Sequence, residues 1–258
     1  MKTRILSGLA MLPLAVVIYF GNKILLVFCL LLAILGVREF YNGFLKIDIK
    51  PCFWIGYLSA ISLYAIGFLQ LNTEYYMFWF FAVVVVGLLY LFRIEQRQLS
   101  DSMSTIVGVF YVVFFSFHLV LIDQTESSIL IWMVFLSAFG TDVMAYFTGY
   151  VFGKHKLCPK ISPKKTIEGS IGGIIGSMIL SGIFGLFVAN ELMFHCIIIG
   201  LIGSVVSQIG DLTASIFKRK MGIKDYGNLI PGHGGILDRF DSVLFTAPLV
   251  YYYITLVI

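Results

Sequence analysis

The chain has 258 residues, 59% of them hydrophobic and only 12% charged, with 18 Lys and Arg against 14 Asp and Glu. A water-soluble domain carries about 25% charged residues, roughly twice this share, so a soluble fold is excluded. With a mean hydropathy of +0.96 and apolar runs recurring along its whole length, it reads as one integral membrane domain over residues 1–258. The four cysteines, Cys29, Cys52, Cys158 and Cys196, have no CxxC spacing. They are expected to be packing residues, forming neither a disulfide framework nor a zinc site.

A bilayer crossing takes about 20 apolar residues. On that measure about nine helical spans are expected, over 5–20, 24–37, 53–71, 75–92, 103–122, 128–152, 170–189, 192–210 and 243–258. The first has a basic start like a signal peptide but no small-residue cleavage site, and is expected to be retained. The runs are too long and uniform for barrel strands, so the fold class is all-α, a polytopic transmembrane helical bundle. Residues 1–125 are expected to be N-terminal membrane helices and residues 126–258 the catalytic half.

With nine spans, all but Lys23 of the 18 basic residues fall on the side of the N-terminus. The opposite loops carry Glu74, Asp123, Glu126 and Glu191. Positive charge marks the cytoplasmic side, so the N-terminus is expected inside and the C-terminus outside.

Two of the basic loops hold more than topology needs. In the sixth, "GKHKLCPKISPKKTIEGSIGG" over residues 153–173, Ser162 and Pro163 read as an N-cap and first helical residue. Lys164 and Lys165 would then lie in a first helical turn, where the macrodipole disfavours cations unless an anion is bound. Gly169, Gly172, Gly173 and Gly176 have the small-xxx-small spacing of closely packed helices. Just before this loop, Asp142 sits near the middle of an apolar span, a functional candidate by default. His118 and His195 are each a single His on an apolar helix, expected to be satisfied core residues.

The eighth loop follows "SVVSQIGDLTASIFKRK", read as one helix running out of the membrane with Asp211, Ser215 and Lys218 on one face and Arg219 beside them. "PGHGG" then lets backbone N–H groups approach a polyanion, and "DRFD" sets Asp238 and Asp241 on one helical face. Each piece alone is more often a tight loop, a cap or an ion pair. Together, in a chain with 14 acidic residues, they read as carboxylates and cations gathered to hold a divalent metal and a phosphate chain.

The stretch "SIFKRKMGIKDYGNLIPGHGGILDRFD", Ser215 to Asp241, resembles the signature of the phosphatidate cytidylyltransferases, or CDP-diacylglycerol synthases. The matching positions are Ser215, Lys218 and Arg219, Lys224 and Asp225, Gly227, Pro231, His233 to Gly235, and Asp238 to Asp241. With "TDVMAY" and the sixth loop, the resemblance covers roughly residues 139–242. It implies an Mg²⁺-dependent enzyme that turns CTP and phosphatidic acid into CDP-diacylglycerol and pyrophosphate at the cytoplasmic face of the inner (plasma) membrane. Asp211 and Asp238 would hold Mg²⁺, with Asp241 as a third carboxylate. Lys218, Arg219 and Arg239 would neutralise phosphates. Lys164 and Lys165 would take either the phosphatidate headgroup or the CTP tail, and His233 with Gly234 and Gly235 the nucleotide phosphates. Ser215, Lys224, Asp225 and Asp142 complete the expected substrate contacts. The expected partners are CTP, phosphatidic acid and membrane lipid, with no nucleic acid, and a homodimer is an admissible assembly. Two rivals stand: another CTP-dependent membrane enzyme, such as a polyprenol or phytol-type kinase or a cytidylyltransferase for another lipid phosphate, and an ion-coupled transporter. The charges gathered on one side of the membrane and the lack of an internal repeat weigh against the transporter.

Overall fold

In lipid, a backbone that leaves N–H or C=O groups unpaired loses several kcal/mol for each, so long apolar stretches fold as helices. The computed structural model describes residues 12–229 and 234–258. In chain order these form α1 (Leu12–Phe20), α2 (Asn22–Leu45), α3 (Phe53–Phe68), α4 (Thr73–Leu89), α5 (Leu99–Asp123) and α6 (Ile131–Phe152). A two-stranded hairpin follows, β1 (Lys156–Cys158) and β2 (Ser162–Thr166), then α7 (Ile167–Val188), α8 (Met193–Lys220) and α9 (Leu237–Val257). Seven of the described helical segments are long and apolar enough to cross a membrane, and α3, at 16 residues, is a shorter apolar helix. The protein is a multi-pass membrane protein, helical almost throughout. The expected first span, with Lys2 and Arg4 before it, falls partly outside the described residues.

Two local expectations are corrected. The second span was expected to stop at Val37, before the charges, yet α2 continues to Leu45 and carries Arg38 and Glu39 inside it. The helix goes on because Phe40 and Tyr41 beyond the charges are fully buried and the Glu39 carboxylate finds internal donors, described below. The second correction concerns Ser162 and Pro163, which open no helix. They lie in strand β2, with Ser162 paired to Cys158 and Thr166 to Lys156. Proline lacks an N–H and is compatible with an edge strand. The true N-cap is Thr166, extended at φ −122° and ψ 155°, whose Oγ1 accepts the Gly169 N–H. Lys164 and Lys165 are strand residues, so no macrodipole acts against them.

The helices form two units. The first takes the described residues up to Leu121 and resumes over Lys220–Phe240; the second takes Ile122–Arg219 and Asp241–Ile258.

In the first unit, polar side chains tie helices together across the apolar core. Tyr41 O–H donates to the Thr105 carbonyl at 2.6 Å, and Thr105 Oγ1 accepts the Cys52 N–H at 2.8 Å. Asp101 accepts the Lys50 N–H at 2.7 Å and the Gln98 N–H at 2.9 Å, which starts α5 and anchors the loop after α2. Within α5, Val109–Phe114 widens into a π-helical stretch. His118 is buried, its Nδ1 2.9 Å from the Phe114 carbonyl oxygen.

In the second unit the glycine spacing of α7 does what its pattern predicts. A Cβ at Gly169 would lie 2.8 Å from the Ala145 carbonyl oxygen, and one at Gly173 would lie 3.0 Å from that of Thr141. Only hydrogen lets the α6 and α7 backbones come this close. The opposite face of α7 carries Ile167, Ile171, Ile175, Ile179 and Ile183, each between 43% and 56% exposed. Small residues turn to protein and branched ones to lipid. His195, on α8, has its Nδ1 3.0 Å from the Tyr253 hydroxyl.

Candidate active site

The close contact of α6 with α7 and the hairpin leaves a cleft of about 440 Å³ in the second unit. Lys156, Lys164 and Lys165 reach it from the hairpin and Asp142 from α6, where its side chain is exposed. Ser170 and Gln208 form its polar wall: Ser170 O–H donates to Gln208 Oε1, and Gln208 Nε2 donates to the Ser170 carbonyl at 3.3 Å. Tyr146 and Tyr150, one turn apart on α6, line the same cleft with rings stacked at 6.4 Å.

Lys165 donates to Asp211 Oδ2, an ion pair whose side chains are 28% and 23% exposed. Asp211 is carried by α8, and the residue before it sets its position. A Cβ at Gly210 would lie 3.0 Å from the Asp241 carbonyl oxygen and from Phe245 Cβ. That glycine lets α8 and α9 approach at the turn where each carries an aspartate. Asp241 is 6% exposed and its Oδ1 accepts the Ser242 N–H at 2.8 Å. Asp211, Lys218 and Asp142 all act on it electrostatically. Arg219, on the outer turn of α8, donates from Nε to the Ile161 carbonyl at 3.4 Å, tying the helix end to the hairpin. Ser215 lies half-buried one turn beyond Asp211.

The first unit holds the rest of the signature. Lys224 and Asp225 are exposed, Tyr226 is buried, and His233 lies outside the described residues. Asp238 is 8% exposed; its Oδ2 accepts the Tyr226 N–H at 2.8 Å and the Gly235 N–H at 3.0 Å. Gly234 has φ +86°, where a side chain is strained, and a Cβ there would lie 2.8 Å from Asp238 Oδ2. Arg239 is half-buried, and its Nε has no hydrogen-bond partner among the described residues. A residue that sequence reasoning missed stands beside them: Glu39, 9% exposed on α2, accepts the Ile236 N–H at 3.0 Å and the Leu237 N–H at 2.8 Å.

The profile of the cytidylyltransferase family matches residues 2–257 of the chain. The chain belongs to the cytidylyltransferase family. Its sequence is 35% identical over 258 residues to a protein of Staphylococcus haemolyticus named phosphatidate cytidylyltransferase, covering 97% of both chains. A Staphylococcus aureus (strain COL) protein of the same name is 35% identical over 264 residues, again with 97% of both chains covered. One from Bacillus subtilis is 38% identical over 176 residues, 68% of this chain and 56% of the other.

A cytidylyltransferase handles a nucleoside triphosphate, and the second unit offers what that needs: several cations at a cleft, with carboxylates behind them. Asp142, Lys164, Lys165, Asp211, Lys218 and Asp241, six of the expected site residues, are brought into one neighbourhood. Asp238, Arg239, Lys224, Asp225, Gly234 and Gly235 belong to the first unit. Among the described residues no three His, Cys, Asp or Glu side chains gather into a ready-made metal cage. The donor set still suits Mg²⁺, a hard ion held by one or two carboxylates with water and substrate phosphates filling its other positions. Asp211 and Asp241 are the pair that fits. Besides Glu39, sequence reasoning missed Lys156, Gln208 and the Tyr146–Tyr150 pair. The hairpin register and the α6–α7 contact place them, and neither leaves a local motif.

Proposed function

We propose that the protein is a phosphatidate cytidylyltransferase, forming CDP-diacylglycerol and pyrophosphate from CTP and phosphatidic acid. The observation that carries this is likeness over nearly the full chain to proteins of that name. A phosphatidate oxygen attacks the CTP α-phosphorus in line, the bond to the β-phosphate oxygen breaks, and pyrophosphate leaves. Because the acceptor is already an oxyanion, no enzyme nucleophile is required, and catalysis rests on positioning and charge. Two anions must approach, so cations come first. Lys164, exposed in the cleft, and Lys156 beside it meet the incoming phosphates, while Lys218 and Arg219 offset charge on the triphosphate. Lys165 pairs with the Asp211 carboxylate and, by turning to a substrate phosphate, would free that carboxylate. Mg²⁺, held by Asp211 and Asp241, would supply charge neutralisation at the phosphates. The acyl chains stay in the bilayer, and the site faces the cytoplasm of the cell membrane, where the basic loops gather.

The test is turnover of the purified protein in detergent with CTP labelled in the cytosine and phosphatidic acid. Labelled CDP-diacylglycerol should form together with one pyrophosphate per lipid product. A CTP-dependent lipid kinase would release CDP and no pyrophosphate, and that outcome rules the reading out.

A further inference from the structure

The cleft of the second unit has two ends of different character. Lys156, Lys164 and Lys165 line it at the hairpin, while Ser170 and Gln208 line it from within α7 and α8, Gln208 lying three residues before Asp211. Gln208 is 9% exposed. A buried amide needs its hydrogen bonds filled, and this one is filled only in part. The Ser170 carbonyl can only accept, so the amide nitrogen must face it, and the Ser170 hydroxyl donates to Gln208 Oε1. Those two bonds lock the amide against flipping. One of its two N–H groups is thereby taken, and the other has no partner among the described residues. Tyr146, from the "TDVMAY" stretch of α6, lines the same cleft with Tyr150. Their ring planes are only 19° apart, so the two present flat faces in nearly the same direction. A nucleotide would enter such a cleft base first. Taking a neutral base out of water costs far less than taking out a triphosphate, which stays with the lysines.

We propose that this wall selects the base of the nucleotide: the remaining Gln208 N–H donates to cytosine N3, with the base laid against Tyr146. Cytosine N3 carries a lone pair and accepts. Uracil N3 carries a hydrogen and would meet the amide donor head-on. Because Ser170 fixes the amide, it cannot turn to follow a uracil carbonyl. Gln208 is thus a specificity-determining residue for CTP over UTP, and Ser170 is its positioning residue. This rests on the cytidylyltransferase reading given above, and every residue it uses belongs to the second unit.

The test compares CTP with UTP as nucleotide donor to phosphatidic acid, using the purified protein in detergent. The wild-type protein should favour CTP in kcat/KM by at least about a hundredfold. Gln208→Glu puts an acceptor where the donor was, and its CTP-to-UTP ratio should fall at least about tenfold. Ser170→Ala unlocks the amide and should lower the ratio too, by less. A ratio of the two donors is unmoved by loss of folded protein, so a variant that folds poorly still reports on the base. Tyr146→Leu keeps apolar bulk without a flat ring. It should raise the KM for CTP about fivefold and leave the ratio unchanged, since stacking tolerates either base. Nucleotide binding without lipid supplies a readout independent of turnover: CTP should raise the melting temperature of the wild-type protein more than UTP does, and Gln208→Glu should lose that difference. A ratio in Gln208→Glu within about twofold of wild type would overturn the proposal. A wild-type protein that uses UTP as readily as CTP would do the same, and both outcomes leave nucleotidyl transfer to phosphatidic acid standing. If Tyr146→Leu raises the KM for phosphatidic acid and not that for CTP, the wall belongs to the lipid and the base has no place against it. A wild-type protein that makes no CDP-diacylglycerol from CTP would remove the cytidylyltransferase reading, and this proposal with it.

Discussion

Adjacent residues on a strand point to opposite faces, and Lys164 and Lys165 show what that does to two side chains of the same chemistry. Lys165 is half-buried against Asp211, while Lys164 is exposed at the cleft. Their variants should therefore differ. Lys165→Gln removes the partner of a largely buried carboxylate and should lower stability by about 1–2 kcal/mol, read as a fall in melting temperature in detergent. Lys164→Gln should leave the melting temperature unchanged and lower turnover by about tenfold, roughly 1.4 kcal/mol of transition-state stabilisation. Equal melting shifts in the two variants would refute the ion pair. Asp211→Asn should reduce product formation at least about a hundredfold at every Mg²⁺ concentration tried, since it removes charge from the proposed metal ligand. Activity near wild type at low Mg²⁺ would remove Asp211 from that role.

Helix identity was legible in the sequence because apolar length is a direct physical requirement of the bilayer, and the glycine spacing of α7 was legible because backbone approach demands it. The hairpin was not. Ser-Pro before two lysines satisfies the rules for a helix start as well as those for an edge strand, and only pairing with Lys156–Cys158 decides between them. Glu39 was hidden for a related reason. A span read by hydropathy ends at the first charges, yet this carboxylate is satisfied by donors 197 and 198 residues away, beyond the reach of any local pattern. Asp211 and Asp238 stand out in the sequence as polar groups beside apolar helices. Their different surroundings, a lysine for one and two backbone N–H groups for the other, depend on packing that spacing does not encode. At this scale the α6–α7 contact gives its own test. Gly169→Ala sets a methyl 2.8 Å from a backbone carbonyl that cannot rotate away. It should cost about 1–3 kcal/mol of stability. Ile175→Ala, on the exposed face of the same helix, should be nearly silent in the same melting assay.

Across the whole molecule, the proposed orientation makes a prediction for intact cells. In a cysteine-free background, an impermeant thiol reagent should label a cysteine placed at Glu74 or Gln124 and leave one at Lys160 or Asn228 untouched until the membrane is opened. Labelling of Asn228→Cys from outside would put the glycine-rich segment on the wrong side for cytoplasmic CTP. The first unit also has a history written into its chain order, since it is closed by residues made long after its helices. A ribosome adding about 5–20 residues per second delivers Ile236 and Leu237 roughly 10–40 s after Glu39. Throughout that interval the Glu39 carboxylate lacks its final donors. Nascent chains released before Lys220 would lack those donors altogether. The Glu39 contacts can therefore form only once nearly the whole chain has been made.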